Sequence, residues 1–269
     1  MTEPLQRIES PCIGTCSIGA DGLCTGCFRS RAEIATWSQW APAERTVLMK
    51  EALPERECIT HALQHSLHRV GRPPSDGALN WADIGPLFEL QNEPDAQFRW
   101  REAAVLIGLV ARHDGIQVLL TQRTETMRQH SGQVSFPGGA RDDTDVSIVD
   151  TALREVHEEI GIPSSLINVV GFLDRFATIS HYLVTPVVAW VDAGYSHELN
   201  PVEVSAVFEL PLNYLMDDGN LFHSSHQFNG HVREVPEYRP YGTLPYRVWG
   251  ATAAMIQQLK SAIVTGGRT

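Results

Sequence analysis

The chain has 269 residues, 43% of them hydrophobic, enough for one large domain or for a core domain with a small appendage, with ample core material. Thirty-two acidic against 21 basic residues give a net charge of −11, which excludes a surface built to coat nucleic acid, because phosphate backbones are met by clustered Lys and Arg. No run reaches the ~18 apolar residues that span a bilayer, and the opening MTEPLQRIES lacks the apolar centre of an export signal, so the expectation is a cytoplasmic protein with a small-molecule partner, no nucleic acid and no membrane.

Residues 1–57 read as a miniature domain. Cys12, Cys16, Cys24 and Cys27 fall within sixteen residues as CxxxC and then CxxC, a spacing that in a cytoplasmic chain points to metal rather than disulfides. Four thiolates can close around one tetrahedral Zn²⁺, and all-thiolate sites also accept an iron–sulfur cluster, so both stay open, with a structural role. Cys58 stands apart and reads as an idle or buried thiol. Short helices are predicted over residues 32–40 and 43–53, separated at Pro42, with Ile34, Trp37, Trp40, Val47 and Leu48 available to pack on the cysteine turns. Residues 10–56 resemble an uncharacterised bacterial cysteine-rich domain that begins SPC and is described as a predicted iron–sulfur protein. That resemblance implies no activity and identifies no protein partner. Residues 58–97 read as a connector: a helix over 59–70, then the polar, proline-bearing GRPPSDGALN.

From residue 98 to 269 the pattern changes. AAVLIGLVA (103–111), a turn at 113–115 and a strand over 116–122 predict a hairpin. Further strands are predicted at 166–173, 182–191 and 204–210, with Pro211 opening a short helix. A hairpin-like region follows at 221–235, and VWGATAAMIQQLKSAI reads as a final amphipathic helix.

Between these strands, residues 132–162 predict a short strand, a Gly-rich turn and an acidic helix. Val149, Ala152, Leu153, Val156 and Ile160 recur at three and four residues and form the packing face. Glu155, Glu158 and Glu159 stand together on the opposite arc. Oxygen-only clusters of this kind suit a hard cation such as Mg²⁺, which completes its shell with water and substrate phosphate. Gly138 and Gly139 allow close approach of a ligand to the backbone, and Arg154 can organise the carboxylates through forked hydrogen bonds.

This segment resembles the Nudix box, Gx5Ex7REUxEExGU with U apolar. REVHEEIGI matches every fixed position, whereas Asp145 occupies the earlier acidic slot and one extra residue separates it from Arg154. The preceding LLTQRTETMRQHSGQVSFPGG resembles the coenzyme A pyrophosphatase signature LLTxRSxxLRxxxGxVxFPGG, with Thr124 and Met127 in place of Ser and Leu. That family's box is lengthened in the same way. The resemblance, over residues 99–264, implies an α/β fold: a Nudix α/β/α sandwich with a mixed sheet, here preceded by the small cysteine-rich domain.

It further implies Mg²⁺- or Mn²⁺-dependent attack of water on the pyrophosphate of coenzyme A or a derivative, giving 3′,5′-ADP and 4′-phosphopantetheine. Under that reading Glu155 and Glu159 are the first metal ligands and Glu158 the next. The general base is Glu158 or Glu203, with Arg154 supporting, and Arg123, Arg128, Arg141, Gly138 and Gly139 are substrate contacts. NADH pyrophosphatases also carry a four-cysteine zinc unit, but their SQPWPFPxS run is missing after Gly161; other nucleoside-diphosphate compounds remain as substrates. A nucleotide-sensing Nudix domain with a cysteine-rich partner-binding module is the non-enzymatic alternative, and the three intact box glutamates weigh against it.

Overall fold

The computed structural model describes residues 8–19, 22–70, 74, 100–125, 132–228 and 231–267. The helices, in chain order, are α1 (Arg31–Thr36), α2 (Pro42–Val47), α3 (Leu53–Ser66), α4 (Ile148–Ile160), α5 (Leu212–Met216) and α6 (Gly250–Gly266). The strands are β1 (Arg101–Arg112), β2 (Gly115–Arg123), β3 (Val134–Ser135), β4 (Gly138–Ala140), β5 (Ile167–Phe172), β6 (Phe176–Ala177), β7 (Tyr182–Val191), β8 (Val204–Pro211), and the hairpin pair β9 (Leu221–Phe228) and β10 (His231–Tyr238).

Among the described residues the main sheet runs β3-β2-β1-β7-β5, with β4 beside β1, β6 beside β7 and β8 beside β2. β1 and β7 pair in parallel from Arg101 opposite Tyr182 to Val110 opposite Val191. The other pairs in this sheet are antiparallel, so the sheet is mixed.

Side chains of a strand alternate between faces, and β1 shows what this does. Ala104, Leu106 and Val110 pack with Ala152, Val156 and Ile160 of α4. Ala103, Ile107 and Leu109 face the other way, into a core shared with Ile59, Ala62 and Leu63 of α3 and with Ala253, Ile256, Leu259 and Ile263 of α6. The result is the expected α/β/α sandwich.

The second helical layer differs from the expectation in one respect. Instead of two helices broken near residue 53, a helical run continues from α2 through a π-helical turn at Leu48–Ala52 into α3. Pro54 follows the π-helical turn directly, where the Leu53 N–H bonds the Leu48 carbonyl five residues back, so the regular ladder is already widened at the position that lacks a donor. The division expected between residues 57 and 58 thus falls inside α3, a helix that packs on the main sheet.

Arg56 strengthens that connection. Its side chain is fully buried, pairs with both oxygens of Glu33 at 2.7 and 2.9 Å, and donates to the carbonyls of Phe28 at 3.1 Å and Arg112 at 2.6 Å. One guanidinium thereby ties the cysteine turn, α1 and the end of β1 together. Leu23, between the two cysteine pairs, belongs to the same core as α3 and α6. No helix among the described residues is long and apolar enough to cross a membrane.

Candidate active site

α4 starts sharply because Ser147 accepts from the Asp150 N–H at 3.2 Å while the Asp150 carboxylate accepts from the Ser147 N–H at 2.8 Å, a reciprocal cap. It ends at Gly161, whose φ of 71° is left-handed. With its apolar face on the sheet, the remaining arc presents Glu155, Glu158 and Glu159 beside β4.

Arg154 organises this arc. Its Nε and Nη2 donate to the two oxygens of Asp145 at 2.9 and 3.0 Å, and its Nη1 donates to Glu155 and Glu158 at 2.9 Å each. Nη2 also reaches the Ala140 carbonyl at 3.1 Å, which fixes the guanidinium against β4. The Arg154 guanidinium holds the buried Asp145 carboxyl well below the usual carboxylate range. The lengthened box therefore still delivers its acidic residue to Arg154.

Glu159 is the buried member, 1% exposed. Its oxygens accept from Arg123 Nη1 at 3.3 Å and from the Gly138 N–H at 3.1 Å. Burial pushes its pKa up to about 8, against the lowering effect of Arg123 and the Gly138 N–H. Burial also raises Glu155, and the charges of Glu158 and Glu203 act in the same direction. Both glycines are dictated by geometry. A Cβ on Gly138, whose φ is +157°, would lie 2.3 Å from the Ala104 carbonyl oxygen, and one on Gly139 would lie 2.6 Å from the Glu155 carboxylate.

Glu203 reaches the cluster from a distant part of the chain and adds its charge to that felt by Glu155 and Glu159. It lines a cleft of about 1990 Å³ together with Arg123, Gly138, Gly139 and Glu155. From the carboxylates the cleft runs to the start of α6 at Gly250–Met255, the β6–β7 loop and the hairpin residues His223 and Arg233.

The structure sorts the remaining site expectations. Glu158 is half exposed, 52% at its side chain, and is held by Arg154 outside the lining of that cleft. Arg123 lies in the cleft with one donor already on Glu159. Arg141 faces away, paired with Glu102 at 2.8 Å beside a smaller pocket lined by Asp142, Asp143 and Asp145. Arg128 lies outside the described residues. Asn200 and Arg233 come to the site without a signal in the sequence, whereas Asp145 and Thr124 stand at positions of the two signatures.

At the N-terminal unit, Cys24 and Cys27 are buried and Cys12 and Cys16 exposed. The Cys12 thiol beside it pushes Cys16 up, and the charges of Cys24 and Cys27 act in the same sense. Burial acts to raise Cys24, but N–H groups of Gly26, Cys27 and Ser17 on its sulfur bring it below the ordinary thiol value. Arg29 Nε donates to the Cys27 sulfur at 3.3 Å.

Residues 100–225 match the NUDIX domain family, and residues 10–57 match a domain described as a protein of unknown function, DUF1289. The uncharacterized Nudix hydrolase NudL of Pectobacterium atrosepticum is 38% identical over 192 residues, 70% of this chain and 95% of the relative.

The chain belongs to the Nudix hydrolase family.

NudL of Escherichia coli, likewise uncharacterized, is 42% identical over 161 residues, 59% of this chain and 81% of the relative. A MutT/nudix family protein from Enterococcus faecalis aligns over 67% of this chain and 68% of its own with a TM-score of 0.43 and 18% identity. As a Nudix hydrolase the protein is an enzyme that acts on pyrophosphate bonds of nucleotide derivatives, and such enzymes typically use Mg²⁺ or Mn²⁺.

The residues fit a hard divalent cation by a test internal to this structure. Glu159 is a buried carboxylate whose ionisation burial opposes, flanked by two further carboxylates, Glu155 and Glu203, that oppose it too. A divalent charge is what such a set lacks. Among the described residues no three Cys, His, Asp or Glu side chains are gathered as a metal cage, the four N-terminal cysteines included; at the box, Glu155 and Glu159 bond Arg154, Arg123 and the Gly138 N–H. Mg²⁺ does not need such a cage, since it binds through one or two carboxylates with water and phosphate oxygens.

Proposed function

We propose that this Nudix hydrolase cleaves the pyrophosphate of coenzyme A or its derivatives to 3′,5′-ADP and 4′-phosphopantetheine. The observation that carries the reading is where the LLTQR and FPGG segments of the coenzyme A pyrophosphatase-like signature lie. Arg123 of the first bonds Glu159, Gly138 of the second bonds the same carboxylate, and Arg123 and Gly138 both border the long cleft. A cleft of about 1990 Å³ exceeds the ~300–1,000 Å³ that holds a compact ligand, and suits a nucleotide with a long arm.

Glu155 and Glu159 would hold the divalent ion, with Glu158 further out. When bound, the ion supplies charge neutralisation on the pyrophosphate oxygens and acidifies water. Glu203 is the better-placed base: it lines the cleft with Glu155, whereas the Glu158 carboxylate is held to Arg154. It would accept the proton of the attacking water as the water's oxygen bonds to phosphorus and the other phosphate leaves. Arg154 keeps Glu155 aimed. Arg233 lines the same cleft and makes no side-chain ion pair among the described residues, so it is a free cation for a further phosphate of the substrate.

For the N-terminal unit we read the four cysteines as a structural Zn²⁺ or iron–sulfur site. The support is the CxxxC and CxxC spacing of four thiols, two of them buried, with the Arg29 Nε donating to the Cys27 sulfur at 3.3 Å. The deciding experiment is metal analysis of the purified protein beside hydrolysis of coenzyme A, NADH and ADP-ribose with Mg²⁺ or Mn²⁺, products identified by mass. Binding of coenzyme A without release of 3′,5′-ADP would overturn the assignment.

A further inference from the structure

The end of β2 reaches the Glu159 carboxylate and the backbone beneath Glu203 through successive residues. Arg123 donates to Glu159, and Thr124 bonds to the loop that carries Glu203. The Thr124 N–H donates to the Glu203 carbonyl at 2.9 Å, and its hydroxyl donates to the Val202 carbonyl at 2.9 Å. Thr124 is buried, 9% exposed, and its β-branched side chain is stiff at χ1, so that hydroxyl has a defined direction.

The pairing of β2 with β8 explains why the loop needs this hold. Gln122 faces Ala206 but Arg123 faces Val204, so Ser205 is an extra residue in a bulge. A bulge bends its strand and ends regular pairing. From there residues 200–203 turn back toward α4. Asn200 closes the other end: its N–H donates to the Glu159 carbonyl at 2.9 Å, its Oδ1 accepts from the Val202 N–H at 3.2 Å, and its Nδ2 reaches Glu203 Oε1 at 3.4 Å. The loop is thus pinned to α4 by Asn200 and to β2 by Thr124.

We propose that Thr124 is a positioning residue for Glu203: its hydroxyl fixes the peptide between Val202 and Glu203, and so the direction in which Glu203 enters the cleft. This rests on the reading of Glu203 as the base. A residue serving only to fill the core at this place would serve equally as valine, and the hydroxyl is what differs. The signature residue here is Ser where this chain has Thr, and both supply the same donor.

The test uses the full-length protein with Mg²⁺, coenzyme A as substrate and ADP-ribose in parallel, so that a wrong substrate is told apart from a wrong role. The variants are Thr124→Val, Thr124→Ser, Glu203→Gln and the double variant Thr124→Val with Glu203→Gln. A small misplacement of a reacting group costs up to ~10²-fold. We expect kcat to fall about 10-fold or more in Thr124→Val, with KM, the metal dependence and the unfolding midpoint little changed. Thr124→Ser should restore kcat to within about two-fold, and the double variant should be no slower than Glu203→Gln alone.

Unchanged kcat in Thr124→Val, or losses that multiply in the double variant, would overturn the positioning role while leaving Glu203 as base. Full activity in Glu203→Gln would overturn the base assignment and the positioning role with it. If Thr124→Val does not fold, Thr124→Ala carries the same expectations, since it removes the hydroxyl without placing a methyl against the Val202 carbonyl.

Discussion

Asp145 gives both carboxylate oxygens to Arg154, Oδ1 to Nε at 2.9 Å and Oδ2 to Nη2 at 3.0 Å, leaving Nη1 for Glu155 and Glu158. Asp145 is 8% exposed, so this fork is sheltered from water and acts as the anchor that aims Arg154. Asp145→Asn keeps the shape and loses the charge. It should lower kcat/KM by ~10–100-fold, the usual cost of losing a partner behind a metal ligand, and raise the Mg²⁺ concentration needed for half-maximal rate. Steady-state kinetics over a metal titration checks both. Because Asp145 is held below the ordinary carboxylate range, the stability this pair contributes is present at neutral pH and is lost only as pH falls through that lowered value.

Glu159 behaves in the opposite sense. Its raised pKa, about 8 in the metal-free protein, means that the folded state binds a proton that the unfolded chain releases near pH 4. This group's contribution to stability is therefore fully present below the unfolded value and declines as pH rises toward 8. A divalent ion must displace that proton, so Mg²⁺ or Mn²⁺ should raise the melting temperature more at pH 8 than at pH 6. Glu159→Gln should remove the pH dependence of that gain and abolish turnover while the fold is kept. Thermal unfolding with and without metal at the two pH values decides it.

The adjacent glycines should respond differently to alanine. A methyl at Gly138 meets backbone, the Ala104 oxygen at 2.3 Å and the Val105 Cα at 2.6 Å, so Gly138→Ala should cost on the order of 3 kcal/mol or more of stability. The atoms nearest a methyl at Gly139 are those of the Glu155 carboxylate, the far end of a flexible side chain. Gly139→Ala should fold but lose activity as Glu155 is pushed aside. Denaturant unfolding and kinetics on the same two proteins separate these outcomes.

Arg233 gives a test of substrate class. If it holds the 3′-phosphate, Arg233→Ala should raise KM for coenzyme A about 10-fold or more, the loss of one charge-assisted contact, and leave KM for dephospho-coenzyme A within about two-fold. Equal effects on the two substrates would remove Arg233 from recognition of that phosphate.

Arg56 gives a test of how the cysteine unit is attached. Arg56→Ala removes four hydrogen bonds and leaves Glu33 buried, 6% exposed, and without its guanidinium. The expected loss is ~3–5 kcal/mol, the range for breaking a buried pair from one side. Because the same side chain bonds the Arg112 carbonyl of β1, unfolding should remain a single transition at a lower denaturant midpoint. Two separate transitions would mean that the cysteine unit unfolds independently of the sheet.

The strands and the box helix were legible in the sequence because their determinants are local. β7 occupies Tyr182–Val191, the limits of the largely apolar run YLVTPVVAWV, and α4 carries the spacing of Val149, Val156 and Ile160 that predicts it. Gly138 and Gly139 next to a carboxylate helix could also be read, since close approach of backbone to that helix leaves few other residues possible. What the sequence by itself determined was therefore a fold and a set of carboxylates on one helix face.

Only the tertiary structure decided which other side chains join them. Glu203 enters because Thr124 and Asn200 pin its loop, Arg123 turns to Glu159, and Arg141 turns away to Glu102, 39 residues earlier in the chain. Likewise α3 joins the sandwich through Ile59, Ala62 and Leu63, although its sequence reads as part of a connector. These contacts depend on strand register and a single bulge, and a shift of one residue reverses the face to which each side chain points. No local pattern encodes that choice; it is made when the sheet closes.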